Sequence, residues 1–151
     1  MKTRNLITLL TVFIGSPVSS FAQRDSSGVY LNSNDFKNGK LTYAINCSTQ
    51  KHKIKLNEFF NKSYITVVHE KKSVNLDKKS IFGFRDCGDI TYRFVDQIHY
   101  EVLNPKEEIL LYKHYILASK NQLEAIHYYF SKSPGSEVQE LNLTNLKKAF
   151  P

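Results

Sequence analysis

Residues 81–102 read IFGFRDCGDITYRFVDQIHYEV, and the way this stretch pairs with itself decides the fold. Phe82 and Phe84 precede Cys87-Gly88-Asp89, and Tyr92 and Phe94 follow it, each pair at alternate positions. Period two describes strands with one face buried. Opposed residues share a face, so a loop of three residues, Cys87 to Asp89, sets Phe84 against Tyr92 and Phe82 against Phe94. A two-residue Gly88-Asp89 loop would set Phe84 against Arg93 instead, and the aromatic pairing is the better one. Taking Asp96-Gln97-Ile98 as the next loop sets Phe94 against Tyr100, Tyr92 against Val102 and, on the reverse face, Arg93 against Glu101. Three strands are thus expected to present one continuous aromatic face of Phe82, Phe84, Tyr92, Phe94 and Tyr100, completed by Val102.

Outward from this hairpin the chain reads as further short strands separated by turn residues. Upstream lie 40–47, 51–56 (His52, Ile54 and Leu56 on one face, lysines on the other), and a hairpin of 64–69 and 73–76 around Glu70-Lys71-Lys72. Downstream lie 109–117 and 123–131, then a Lys132-Ser133-Pro134-Gly135-Ser136 loop. Tight spacing favours antiparallel neighbours, because parallel strands need a crossover of a dozen or more residues. Ser33 to Gly39 reads as one helical turn, with Ser33 able to cap it and Gly39 able to close it in a left-handed conformation. Thr144 is a candidate cap for a short terminal helix over 145–150. The expected fold is all-β or β-rich, a single small antiparallel meander of about 8 strands arranged as a sheet, a barrel or a sandwich, with these two helical pieces.

The first 22 residues stand apart. Lys2 and Arg4 precede an uncharged, largely apolar run, Leu6 to Ile14, which Gly15 and Pro17 break before Ser20-Phe21-Ala22. That is the layout of a secretory signal peptide cut after Ala22. A spanning helix needs roughly 20 predominantly apolar residues, and Gly15, Ser16 and Pro17 stop this run short. The expectation is a signal peptide over 1–22, a mobile polar leader over 23–28, and a single β-rich domain within 23–151 that is periplasmic or secreted and has no transmembrane anchor after cleavage.

Removing Lys2 and Arg4 lowers the net charge from +7 to +5. The remaining lysines fall as scattered pairs, which reads as solvated turns and not as the basic stripe of a nucleic-acid binder. Cys47 and Cys87, the only cysteines, are either buried free thiols or a bridge closing about 40 residues. The register above puts Cys87 in a turn and Cys47 at a strand end, which together with export favours the disulfide.

Motifs for catalysis are sparse. Of His52, His69, His99, His114 and His127, no pair has the spacing of a zinc helix, and the cysteines form no CxxC, so neither metal nor cofactor is expected. Arg85 beside Cys87 could lower a thiol pKa, but a nucleophile also needs a base within hydrogen-bond reach. The sequons at Asn46, Asn61 and Asn142 matter only in a host that glycosylates exported proteins. Ten phenylalanines and nine tyrosines must largely supply the core, and in a closed barrel Phe82, Phe84, Tyr92, Phe94 and Tyr100 would line an apolar cavity.

Gly28-Val29-Tyr30-Leu31 with Asp35-Phe36, Phe82 to Cys87 with Tyr92-Arg93-Phe94, and Asn145 to Phe150 resemble small exported proteins of the Bacteroidota. The resemblance implies a periplasmic or secreted location, and brings no activity, cofactor or site residue. The functional expectation is an exported, non-enzymatic binding or interaction module whose partner is another protein or an envelope component. A lipocalin-like carrier of an apolar ligand is the alternative. An enzyme would require a cleft gathering groups such as His99, Asp86 and Arg85.

Overall fold

A computed structural model describes residues 26–49, 54–57, 62–116 and 125–151. Three segments precede the central hairpin: β1 (Ser26–Tyr30), α1 (Ser33–Lys37) and β2 (Thr42–Asn46). A small unit follows, β3 (Ile54–Lys55), β4 (Tyr64–His69) and β5 (Lys72–Asp77). The meander is β6 (Gly83–Arg85), β7 (Thr91–Val95), β8 (Ile98–Val102), β9 (Leu110–Ile116), β10 (Ala125–Ser131) and β11 (Gln139–Glu140), ending in α2 (Leu143–Ala149).

The strands form an eight-stranded sheet, ordered β11-β10-β9-β8-β7-β6-β1-β2, and a three-stranded sheet, β3-β4-β5. All pairings are antiparallel. The β-rich antiparallel expectation therefore holds, in an architecture of two sheets. Among the described residues the larger sheet does not close on itself, and β11 and β2 are its edges.

The first hairpin pairs as the aromatic argument requires. Phe84 opposes Tyr92, the Phe94 amide donates to the Phe82 carbonyl at 2.8 Å, and Asp86 to Ile90 closes the three-residue loop at 3.0 Å. The second hairpin is one residue out from expectation: Val95 pairs with Ile98, Phe94 with His99 and Tyr92 with Glu101. Asp96 takes a left-handed φ of 56°, so Asp96-Gln97 suffices as the turn. The slip sends Tyr100 and Val102 to the reverse face, beside Arg93, and the continuous aromatic face does not form. An exposed charge pair is worth well under about 1 kcal/mol, less than burying Val102. Glu101 instead meets Lys113 of β9, at 3.0 Å.

Each face of the larger sheet is covered by something different. On one, Val29, Phe84 and Phe94 pack with Ile81 against Ile65 and Val67 of the small sheet. On the other, Tyr30, Phe82, Val102, Leu110 and Tyr112 pack with Phe36 of α1. Phe82 lies just ahead of β6, outside its alternation, and stacks on Phe36 at 4.7 Å. Covering both faces is what makes the slipped register favourable.

Three local expectations need correction. Ser26 to Gly28 is no mobile leader: it belongs to β1, held between β6 and β2, with Ser27 fully buried. The small side chains suit that close packing, and residues 23–25 lie outside the described part. The cap of α1 is Asn32, not Ser33; its side chain accepts from the Asp35 amide at 2.9 Å, while Gly39 has the expected left-handed φ of 63°. Asn142, not Thr144, caps α2 by accepting from the Asn145 amide at 2.9 Å. Residues 51–53, 117 and 123–124 of the expected strands also lie outside the described residues.

Candidate functional site

The first core borders an opening lined from both sheets. A pocket of about 340 Å³ opens there, lined by Ile54 and Leu56 from the small-sheet side and by Phe84, Tyr92 and His99 from β6, β7 and β8. Asp86, Cys87 and Gly88 of the β6–β7 loop complete it. The size lies within the range of small-molecule sites.

Cross-strand pairing builds the aromatic floor. Phe84 and Tyr92 are direct partners, and their rings stack at 4.8 Å with 17° between planes. Phe94 supports Phe84 from the core side at 5.7 Å. His99 pairs with Phe94 on the same face and sets its ring edge-on to Tyr92 at 5.5 Å. Such contacts restrict ring motion and favour a preformed surface.

The loop is held from within and from outside. Asp86 Oδ1 accepts from the amides of Gly88 and Ile90, both at 2.9 Å, so the carboxylate organises the turn that follows it. Cys47 and Cys87 form a disulfide with Cα atoms 5.6 Å apart, inside the range that a bridge spans without backbone movement. It ties the end of β2 to the β6–β7 loop, around the start of β1. Arg85 and β1 add a second tie: Arg85 Nε donates to the Ser26 carbonyl at 3.0 Å, and the Ser27 hydroxyl donates to the Arg85 carbonyl at 2.7 Å.

The Tyr92 hydroxyl is held above its ordinary pKa by burial first, then by the Asp86 and Glu101 carboxylates, with Lys113 opposing them. Lys113 is itself pushed up to about 12, chiefly by its hydrogen bond to Glu101.

Of the residues expected to line one cavity, the structure brings Phe84 and Tyr92 into the pocket and places Phe94 behind them. Phe82 and Tyr100 belong to the opposite face. His99 and Asp86 share the pocket, but Arg85 pairs with Gly28 on the reverse face of β6, so the three do not converge. His69 lies edge-on to Tyr43, while His114 and His127 are cross-strand neighbours on the reverse face. His52 lies outside the described residues, among which no group of three or more His, Cys, Asp or Glu could hold a metal ion. The contribution of Ile54 and Leu56 was missed; the alternation of that strand marked their shared face, but not what it packs on.

The reverse face carries polar chemistry turned inward. Arg93 Nη1 donates to the Tyr112 hydroxyl at 2.7 Å and to Ser131 Oγ at 3.3 Å, and Nη2 donates to the Ser136 carbonyl at 2.8 Å. Ser131 Oγ gives its proton to the Ser133 carbonyl, so Tyr112 is the donor in the 2.7 Å bond between the two hydroxyls. The guanidinium also lies 5.3 Å from the Phe82 ring centre and 5.7 Å from that of Tyr112. This network fastens the 131–136 loop to the sheet.

No family model matches the chain, and no curated protein or solved structure matches it either.

Proposed function

We propose that this protein is an exported binding module, with its ligand seated between the two sheets on the Phe84–Tyr92 floor. The observation that carries the reading is the pocket itself: about 340 Å³, aromatic at its base, polar at one rim and walled by a disulfide-pinned loop. A few convergent polar groups on an apolar concavity are the usual composition of a small-molecule site. Export is supported by the signal-like residues 1–22 and by a disulfide, a bond that persists in oxidising compartments. Among the described residues no helix is long and apolar enough to cross a membrane.

Ligand screening of the oxidised protein by NMR tests the reading. Bound compounds should perturb Phe84, Tyr92 and His99 together, and Tyr92→Ala should weaken them about tenfold or more, the loss of one aromatic contact. Perturbations confined to the reverse face, or affinity indifferent to Tyr92→Ala, would overturn it.

A further inference from the structure

The polar rim of the pocket selects a chemistry. Asp86 is the only lining residue with a fixed charge among the described residues, in a chain whose lysines and arginines outnumber its acids by 21 to 14. Both turn-forming amides go to its Oδ1, and among the described residues no donor reaches Oδ2. Nor does any lysine or arginine there lie within ion-pair distance of it, whereas the nearby Glu101 is already matched by Lys113 at 3.0 Å. A carboxylate accepts and never donates while ionised. Beside it stand the stacked rings of Phe84 and Tyr92, whose faces are electronegative, and the aliphatic side chains of Ile54 and Leu56.

These features exclude ligands on two sides. Among the described residues, an anion would meet Asp86 with no lysine or arginine in the pocket lining to compensate it. A fully hydrated polyol would leave the aliphatic and aromatic side of the described wall, Ile54, Leu56 and Phe84, without an apolar partner. A cation on an apolar stem satisfies both halves: the charge pairs with the carboxylate and the aromatic faces, and the stem covers the apolar wall.

We propose that the pocket recognises a protonated amine carried on an apolar or aromatic stem, with Asp86 as counter-ion and the Phe84–Tyr92 pair as floor. This rests on the reading of the pocket as the ligand site. The preformed loop serves the role of Asp86 directly: because its own turn fixes Oδ1 through two amides, the carboxylate is oriented before any ligand arrives. Burial first, then the Asp86 and Glu101 carboxylates, hold the proton on the Tyr92 hydroxyl, which leaves it able to donate or accept.

Three probes of nearly one shape test the assignment: 2-phenylethylamine, 2-phenylethanol and phenylacetate, titrated into the oxidised protein by NMR at low ionic strength. The amine should bind about tenfold more tightly than the alcohol, with phenylacetate weakest, and added salt should narrow the gap. Asp86→Asn keeps an acceptor oxygen for the turn and removes the charge; it should bring the amine to within about threefold of the alcohol. Circular dichroism and the thermal midpoint verify that the variant folds. Equal binding of amine and alcohol, or a preference for phenylacetate, would sink the amine assignment while leaving the pocket as a ligand site. Absence of pocket perturbation by all three, together with other ligands that perturb only the reverse face, would overturn both.

Discussion

The two faces of the larger sheet are built from the same strands and end in opposite states. On the face that carries Arg93, polar groups are tied to one another: the guanidinium binds Tyr112, Ser131 and Ser136 and closes a loop over the core. On the face that carries Phe84 and Tyr92, the small sheet covers only part of the surface, and Asp86 and His99 stand at the margin of an opening. Burying a polar group favourably requires partners. Where the chain supplies them the face is structural, and where an acceptor remains at a concavity the face is suited to a ligand.

The largest disturbance to this arrangement is expected at Gly83, where the two faces share a strand. A Cβ there would lie 1.9 Å from the Tyr92 carbonyl oxygen, a backbone atom that can move only if β6 and β7 part. Gly83→Ala should therefore cost about 3 kcal/mol or more, or abolish folding, as read from urea denaturation. Wild-type stability in that variant would mean that the hairpin is not paired as described.

Removing the bridge with Cys47→Ser and Cys87→Ser together comes next. A closed segment of 40 residues corresponds to about 4 kcal/mol in the chain-entropy treatment, and about 2 to 4 is the common range. The effect should fall on both stability and ligand affinity, because Cys87 lines the pocket. Loss of stability with intact affinity would show that the loop holds its shape through Asp86 alone.

Arg93→Met should have the smallest effect, and separates the faces most cleanly. It strands the Ser136 carbonyl and one lone pair of Tyr112, at a cost of about 2 to 3 kcal/mol in denaturant midpoint. Ligand binding at the Tyr92 side should be unchanged. A variant that loses affinity as well would show that the faces are coupled through the strands between them.

The first hairpin was legible because its two candidate registers differed sharply: one stacked Phe84 on Tyr92, the other set Phe84 against Arg93. The second was not, since either register buries apolar side chains somewhere, and choosing between them requires knowing that α1 covers the reverse face. β1 escaped notice for a related reason. Ser26-Ser27-Gly28 has the composition of a leader, and becomes a strand because β6 and β2 offer it pairing on both sides. In the site, Phe84 and Tyr92 could be read as neighbours, whereas the arrival of Ile54 and Leu56 above them depends on how a separate sheet docks.

By itself the sequence determined the antiparallel β character, the alternation of each strand, the loop that carries Cys87 and the pairing of Phe84 with Tyr92, all of which follow from local periodicity and turn chemistry. Only the tertiary structure decided that there are two sheets, that both faces of the larger one are covered, and that Asp86 and His99 meet across a pocket while Arg85 turns away. The reason is physical: alternation says which side chains share a face, but what packs on that face is settled by contacts between segments far apart in the chain.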